Sequence, residues 1–323
     1  MKQIRKIGVI GCGRWGTFLA WYLNELGHEV TLYGRKSSAR MEQLIRERKN
    51  EYVEIPERLQ LTQDLTKLLE KEILVISIGA QNLSDLMAEL ASYGMKDKTL
   101  VLCMKGIEMK TGRRLSEIVK QTVDPSNLTA VWLGPGHVED YYKDVPNCMV
   151  IDGEEEAVKE DLVESFSGPL IRFYYGTDLL GNEIGAATKN VMGIAAGMLD
   201  GLGLSSLKGA LMTRGTREIA RLIQAMGGNE LSAYGLCHLG DYEATLFSAH
   251  SHNRGFGEKF VRGESYDKLA EGYYTVRAVV ELAEKLQVEV PICNMVYQVL
   301  YKGKEPREGL ELLFQRSLKE EFC

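Results

Sequence analysis

A chain of 323 residues exceeds the usual domain of about 100–200 residues, so two domains are expected. Hydrophobic residues make up 45% and charged residues 26%, an ordinary globular balance, and the net charge of −6 includes no concentrated basic patch of the kind that marks a nucleic-acid binder. The cysteines Cys12, Cys103, Cys148, Cys237, Cys293 and Cys323 are scattered without a C-x-x-C pair, which argues against a disulfide framework or structural zinc and fits a reducing, cytoplasmic compartment.

Lys2, Arg5 and Lys6 charge the N-terminus, but the apolar run behind them contains Gly11, Gly13 and Arg14. That reads as a strand and turn, not a signal peptide. No stretch approaches the roughly 20 apolar residues of a membrane span, so no membrane partner is expected. The first half then alternates strand-like runs at 6–10, 29–33, 73–78, 99–104 and 130–133 with helical stretches at 16–26, 39–48, 83–92 and 115–121. Such alternation predicts a doubly wound, Rossmann-type parallel sheet with helices on both faces. Two further strands, at 148–151 and 171–174, extend it. Beyond Leu179 the strand signal stops, and helical stretches follow at 184–202, 207–225, 267–286 and 291–301. The expectation is an α/β domain over residues 1–178 and an all-helical domain over 179–323.

Gly11, Gly13 and Gly16 follow the first strand and open the first helix, the context a dinucleotide fingerprint requires. One glycine permits the turn, one admits the pyrophosphate to the backbone, and one lets helix and strand pack. The second strand ends in Tyr33-Gly34-Arg35-Lys36-Ser37-Ser38, without the acid that holds the ribose of NAD. Arg35 suits a 2′-phosphate instead, so NADP is the preferred cofactor and NAD the second choice. Lys105 places a cation at the sheet's carboxyl edge, suited to an anionic substrate. Farther on, Asn182, Gly185, Ala186, Lys189, Gly193 and Ala196 share one helix face. A stripe of small residues usually means close helix packing. A lysine confined in one can also serve as a general base.

Several motifs, in order along nearly the whole chain, resemble the NAD(P)-dependent glycerol-3-phosphate dehydrogenase family. They are GCGRWGTFLA (11–20), MKGIE (104–108), GPGHVED (134–140), NEIGAATKNVMGIAAGMLDGLGL (182–204), LMTRG (211–215), LGD (239–241) and SHNRGFG (251–257), with Glu271-Gly272 beyond them. The resemblance implies a 6-phosphogluconate-dehydrogenase-like arrangement of a Rossmann domain and a helical substrate domain. It implies hydride transfer between NAD(P)H and dihydroxyacetone phosphate, or back from sn-glycerol 3-phosphate, in the service of glycerophospholipid synthesis. By the same resemblance Lys189 is the general acid/base, Lys105 and Asn190 steady the oxyanion, and Asp241 orients Lys189. Gly11, Gly13, Arg14, Trp15, Gly16, Arg35, Tyr52, Lys105, Val138 and Glu271 fall at cofactor positions. Lys105, Gly134, Gly136, Ser251, His252, Asn253 and Arg254 fall on the substrate side, and a homodimer is compatible with it.

The chain departs from that family's pattern on the phosphate side. His252 replaces the arginine of S-R-N, and Gly136 replaces the serine of G-P-S. Cys237-His238 stands for Ala-Gly, and Tyr242-Glu243 for an apolar pair. Arg254 is a substitute anion ligand, and a related small hydroxy or keto compound is an alternative substrate. Two other classes stay open: a metal site from His238, His250 and His252, whose spacing matches no common zinc pattern, and a cofactor-binding homologue without turnover. No metal is the expectation.

Overall fold

The computed structural model describes residues 3–318, 320 and 321; Lys2 and Cys323 lie outside the described residues. The chain divides into two compact units, Met1–Gly106 with Arg113–Glu183, and Ile107–Gly112 with Ile184–Cys323.

The first unit carries β1 (Lys6–Ile10), α1 (Arg14–Glu25), β2 (Glu29–Tyr33), α2 (Ala39–Glu47), β3 (Gln60–Thr62), β4 (Ile73–Ile76), α3 (Leu83–Ser92), β5 (Thr99–Leu102), α4 (Leu115–Thr122), β6 (Leu128–Leu133), α5 (Val138–Tyr141), β7 (Asn147–Gly153), α6 (Glu156–Phe166) and β8 (Ile171–Tyr175). The sheet order is β3-β2-β1-β4-β5-β6-β7-β8. The chain order reverses beside β1, which puts the glycine loop at the topological switch point where such sheets take ligands. Apolar residues run almost unbroken through β1, β4 and β5, as burial on both faces requires.

The strand-helix alternation predicts a parallel sheet, but the sheet is not wholly so: β6 and β7 pair antiparallel, and β7 and β8 pair parallel again. The connection from β6 to β7 holds only the single turn of α5, too little helix for a parallel crossover. Strand β3 went unread because three residues carry too little alternation to register. Helices α5 and α6 were also missed.

The second unit is helical. Helix α7 (Leu179–Gly201) starts five residues ahead of the expected 184 and is about 34 Å long at 1.5 Å per residue. It is buried throughout residues 181–199. Around it stand α8 (Lys208–Ala225), α9 (His252–Val261), α10 (Glu271–Lys285), α11 (Pro291–Lys302) and α12 (Pro306–Phe314). Sequence periodicity missed α9 and α12 and began α10 four residues early. The small-residue stripe of α7 is closely packed, a Cβ on Gly193 lying 2.8 Å from Thr245 Cγ2 and one on Gly185 3.0 Å from His238 Cβ. Beside the stripe, a Cβ on Gly197 would strike the Arg254 carbonyl, and one on Gly257 the Ile194 carbonyl. Backbone meets backbone there because neither helix has a side chain in the way. Pro291 occupies the first turn of α11, and the Glu218 carboxylate of α8 caps that helix, accepting from the N–H groups of Ile292 at 2.8 Å and Cys293 at 2.9 Å. Among the described residues no helix is long and apolar enough to cross a membrane.

Candidate active site

The glycine loop fills the turn between β1 and α1. Gly11 has φ +113°, which side chains resist, and a Cβ there would strike the Ser77 carbonyl. A Cβ on Gly16 would strike the Gly11 carbonyl, so this glycine lets α1 lie against the loop. Gly13 differs: nothing stands within 4 Å of its Cβ position. It is the N-cap of α1, with no side-chain cap and no acid in the first turn. Helix N–H groups left without a side-chain cap beside open space are what a pyrophosphate needs, so these residues fit a dinucleotide.

Around that loop, Arg14 pairs with Glu139 at 2.7 Å, and the Tyr52 hydroxyl donates to the same carboxylate at 3.3 Å. Glu139 thus joins two residues expected near the cofactor. It was not singled out, although it follows Val138 in GPGHVED. Trp15 packs on Phe18 and Tyr141, with ring centroids 5.2 and 6.2 Å apart. Val138 itself is buried in the core, leaving its backbone for any ligand contact. At the end of β2, Arg35, Lys36 and Ser37 are exposed, while Ser38 caps α2 by accepting from the Met41 N–H.

Lys105 and Gly134 follow β5 and β6, and the Lys105 Nζ donates to the Gly134 carbonyl at 2.6 Å. Gly136 has φ +144°, and a Cβ there would run into the Tyr141 ring and hydroxyl. Tyr141 occupies the space that a side chain at position 136 would need.

In the helical unit, Lys189 is only 8% exposed. Its Nζ lies 3.0 Å from Asp241 Oδ2 and donates to the Thr245 hydroxyl at 2.7 Å. That hydroxyl donates in turn to the Asp241 carbonyl at 2.6 Å. Thr245 was missed; its signal was the four-residue interval from Asp241 across one helical turn. Asn190 Oδ1 accepts from the Asn253 amide at 3.0 Å, and Asn253 Oδ1 accepts from the Gly272 N–H at 2.9 Å. Asn190, Asn253 and the start of α10 at Glu271 are thereby tied together. The Asn253 carboxamide also explains why α10 begins at Glu271 and not at 267: it caps the helix there. Ser251 is the N-cap of α9, accepting from the Arg254 N–H, and His252 follows it, half-buried.

Arg254 is held by two carboxylates and a carbonyl. Its Nη1 pairs with Asp200 at 2.7 Å and Glu258 at 3.1 Å, and its Nε donates to the Ser248 carbonyl at 3.1 Å. The histidines considered for metal are separated by environment. His238 is buried with both ring nitrogens hydrogen-bonded, to Gly185 and Tyr242, and burial pushes its pKa down to about 4. His250 is exposed. Among the described residues no group of three or more His, Cys, Asp or Glu side chains is arranged to hold a metal ion.

Comparison with known proteins bears on the whole chain. The family described as NAD-dependent glycerol-3-phosphate dehydrogenase matches with its N-terminal part at residues 6–159 and its C-terminal part at 178–311. The chain is 36% identical over 331 residues to glycerol-3-phosphate dehydrogenase (NAD(P)+) of Pelodictyon phaeoclathratiforme, covering 98% of this chain and 99% of the relative. It is 37% identical over 323 residues to the protein of that name from a Thermotoga species, covering 97% and 98%. A solved glycerol-3-phosphate dehydrogenase from Coxiella burnetii superposes with a TM-score of 0.89 at 28% identity, over 97% of this chain and 99% of that one. With matched parts running through both units and relatives alike from end to end, the chain belongs to the NAD-dependent glycerol-3-phosphate dehydrogenase family.

Proposed function

We propose that this chain interconverts dihydroxyacetone phosphate and sn-glycerol 3-phosphate with NAD(P)(H), Lys189 handling the proton on the C2 oxygen. The carrying observation is the Lys189 ammonium, held in a buried site by Asp241 and Thr245. A buried cation is retained at a cost in desolvation and clusters at functional sites for that reason. The nicotinamide, when bound, supplies or receives the hydride. As the carbonyl oxygen at C2 takes on negative charge, Lys189 donates its proton to that oxygen; in oxidation it accepts the hydroxyl proton. Asp241 steadies the ammonium, while Lys105 and Asn190 add positive and polar groups for the oxyanion.

The cofactor pyrophosphate is assigned to the loop from Gly11 to Gly16 with Arg14 and Trp15. Tyr52, the Val138 backbone, Lys105 and Glu271 are its further contacts. Arg35 takes the 2′-phosphate, which makes NADP the preferred form; exposed Arg35 and Lys36 in a turn without an acid support this. Ser251, His252 and Asn253, with Gly134 and Gly136, are assigned to the substrate. Arg254, paired with Asp200, holds α9 in place instead of binding phosphate. A cytoplasmic location and a homodimer complete the proposal. Scattered cysteines without a C-x-x-C pair support the first, and the exposed apolar Leu312 and Phe314 on α12 support the second. Incubation with NADPH and dihydroxyacetone phosphate, followed by NMR, is expected to show sn-glycerol 3-phosphate forming as NADPH disappears. An unchanged substrate spectrum would reject the assignment.

A further inference from the structure

Two departures from the family pattern, His238 and Tyr242, form one buried feature. His238 Nδ1 lies 2.8 Å from the Gly185 carbonyl, and Nε2 lies 2.7 Å from the Tyr242 hydroxyl. A carbonyl only accepts, so Nδ1 carries the proton; burial disfavours a second proton on the ring, so Nε2 accepts from the Tyr242 hydroxyl. The imidazole is therefore neutral, with its tautomer fixed at both ends. Thr188, 3.4 Å from Nδ1, turns its own hydroxyl proton to the Ile184 carbonyl at 2.7 Å. Glycines make room for the pair. A Cβ on Gly185 would lie 3.0 Å from the His238 Cβ, and one on Gly215 of α8 would lie 3.4 Å from the Tyr242 hydroxyl.

The placement ties this pair to the reacting group. Gly185 precedes Lys189 by one turn of α7, while His238 and Tyr242 stand three residues before and one residue after Asp241. The chain of bonds from Gly185 through the imidazole to Tyr242 thus fastens the turn bearing Asp241 to the helix bearing Lys189. We propose that His238 and Tyr242 are positioning residues for the proton transfer, holding Asp241 and Thr245 against Lys189. The pair also brings no second charge to the site: burial keeps the imidazole uncharged, with Lys189 opposing its protonation and Asp241 favouring it. Glu218 of α8 and Cys293 of α11 are the titratable groups beside Tyr242. The inference rests on Lys189 being the proton-transfer group.

The test uses the full chain and the variants Tyr242→Phe, His238→Gln and His238→Asn. Tyr242→Phe removes one hydroxyl and keeps the ring, so it folds even where a histidine change is costly. Two readouts are taken: kcat and KM across pH, and the pH midpoint for chemical labelling of the Lys189 amine, read by peptide mass spectrometry without any turnover. With the restraint on Asp241 loosened, the ammonium loses stabilisation. Tyr242→Phe and His238→Gln are expected to lower kcat about ten-fold with KM for NADPH unchanged. The Lys189 labelling midpoint should fall by about half a pH unit or more. His238→Asn, which keeps a donor for Gly185, should recover part of the loss. Variants that melt earlier yet keep the parent's kcat and labelling midpoint would overturn the proposal, since the pair would then be structural alone. If the parent protein fails to reduce dihydroxyacetone phosphate, the functional reading falls while the labelling midpoint still decides the role of the pair.

Discussion

A buried ammonium beside a buried carboxylate, as at Lys189 and Asp241, sets two desolvation costs against one attraction and adds little net stability. Lys189→Met keeps the length and apolar contacts of the stem but leaves the Asp241 carboxylate buried without its cation, so it should melt earlier than the parent while the folded variant still binds NADPH. Its kcat should fall by about 10²–10⁴-fold, measured by steady-state oxidation of NADPH. Arg35 offers a second reading at this scale. A charge-assisted contact with a 2′-phosphate is worth about 1.5–3 kcal/mol, so Arg35→Ala should shrink the NADPH:NADH ratio of kcat/KM by about 10–100-fold. An unaltered ratio would put cofactor discrimination elsewhere. Lys189 was legible from sequence because lysine on a small-residue helix face is conspicuous. Thr245 and Glu139 were not, because their partners lie one turn or many residues away and only folding brings them within reach. His238 and Tyr242 read as two unrelated positions in the sequence, and only the fold bonds their side chains to each other.

Among the elements, α11 depends on one borrowed cap. Glu218 closes its N-terminus from α8, and burial pushes that carboxyl up to about 7 against the pull of the two N–H bonds it accepts. Because the folded-state pKa is raised, the group's contribution is fullest below its ordinary value of 4.5 and is lost as pH rises through about 7. Glu218→Gln should therefore show a larger Tm deficit against the parent near about pH 5 than near about pH 8, by calorimetry. His238 has the opposite sign. Its pKa is pushed below 6.5 to about 4, so its contribution is present above 6.5 and is lost as pH falls through about 4. The contact of α7 with α9 makes a separate prediction. Gly197→Ala forces a methyl into the Arg254 carbonyl and should cost about 1–3 kcal/mol of stability. It should also raise KM for the phosphorylated substrate, because Ser251 and Asn253 ride on the displaced segment. Long periodic elements such as α1, α3 and α8 were readable nearly to the residue. Helix α9 was not, because its glycines, including Gly255 and Gly257, break the apolar period for the sake of close packing. Antiparallel β7 was read as a strand, but its direction depends on the short connection through α5 and not on its own residues.

At the scale of the whole molecule, the α/β-then-helical order follows from where strand alternation stops, near Leu179. The family follows from motifs in order and from relatives that match end to end. The phosphate end carries His252 and a Gly136 that Tyr141 prevents from carrying a side chain. The proposed seat of a substrate phosphate is the start of α9, with Ser251, His252 and Asn253, where Arg254 is ion-paired to Asp200. The most direct measurement is kcat/KM for NADPH oxidation with dihydroxyacetone phosphate against dihydroxyacetone. Loss of contacts to an ionised group costs about 1.5–3 kcal/mol each, so two or more such contacts predict a preference of at least about 100-fold for the phosphorylated ketone. Equal values for the two ketones would contradict the account.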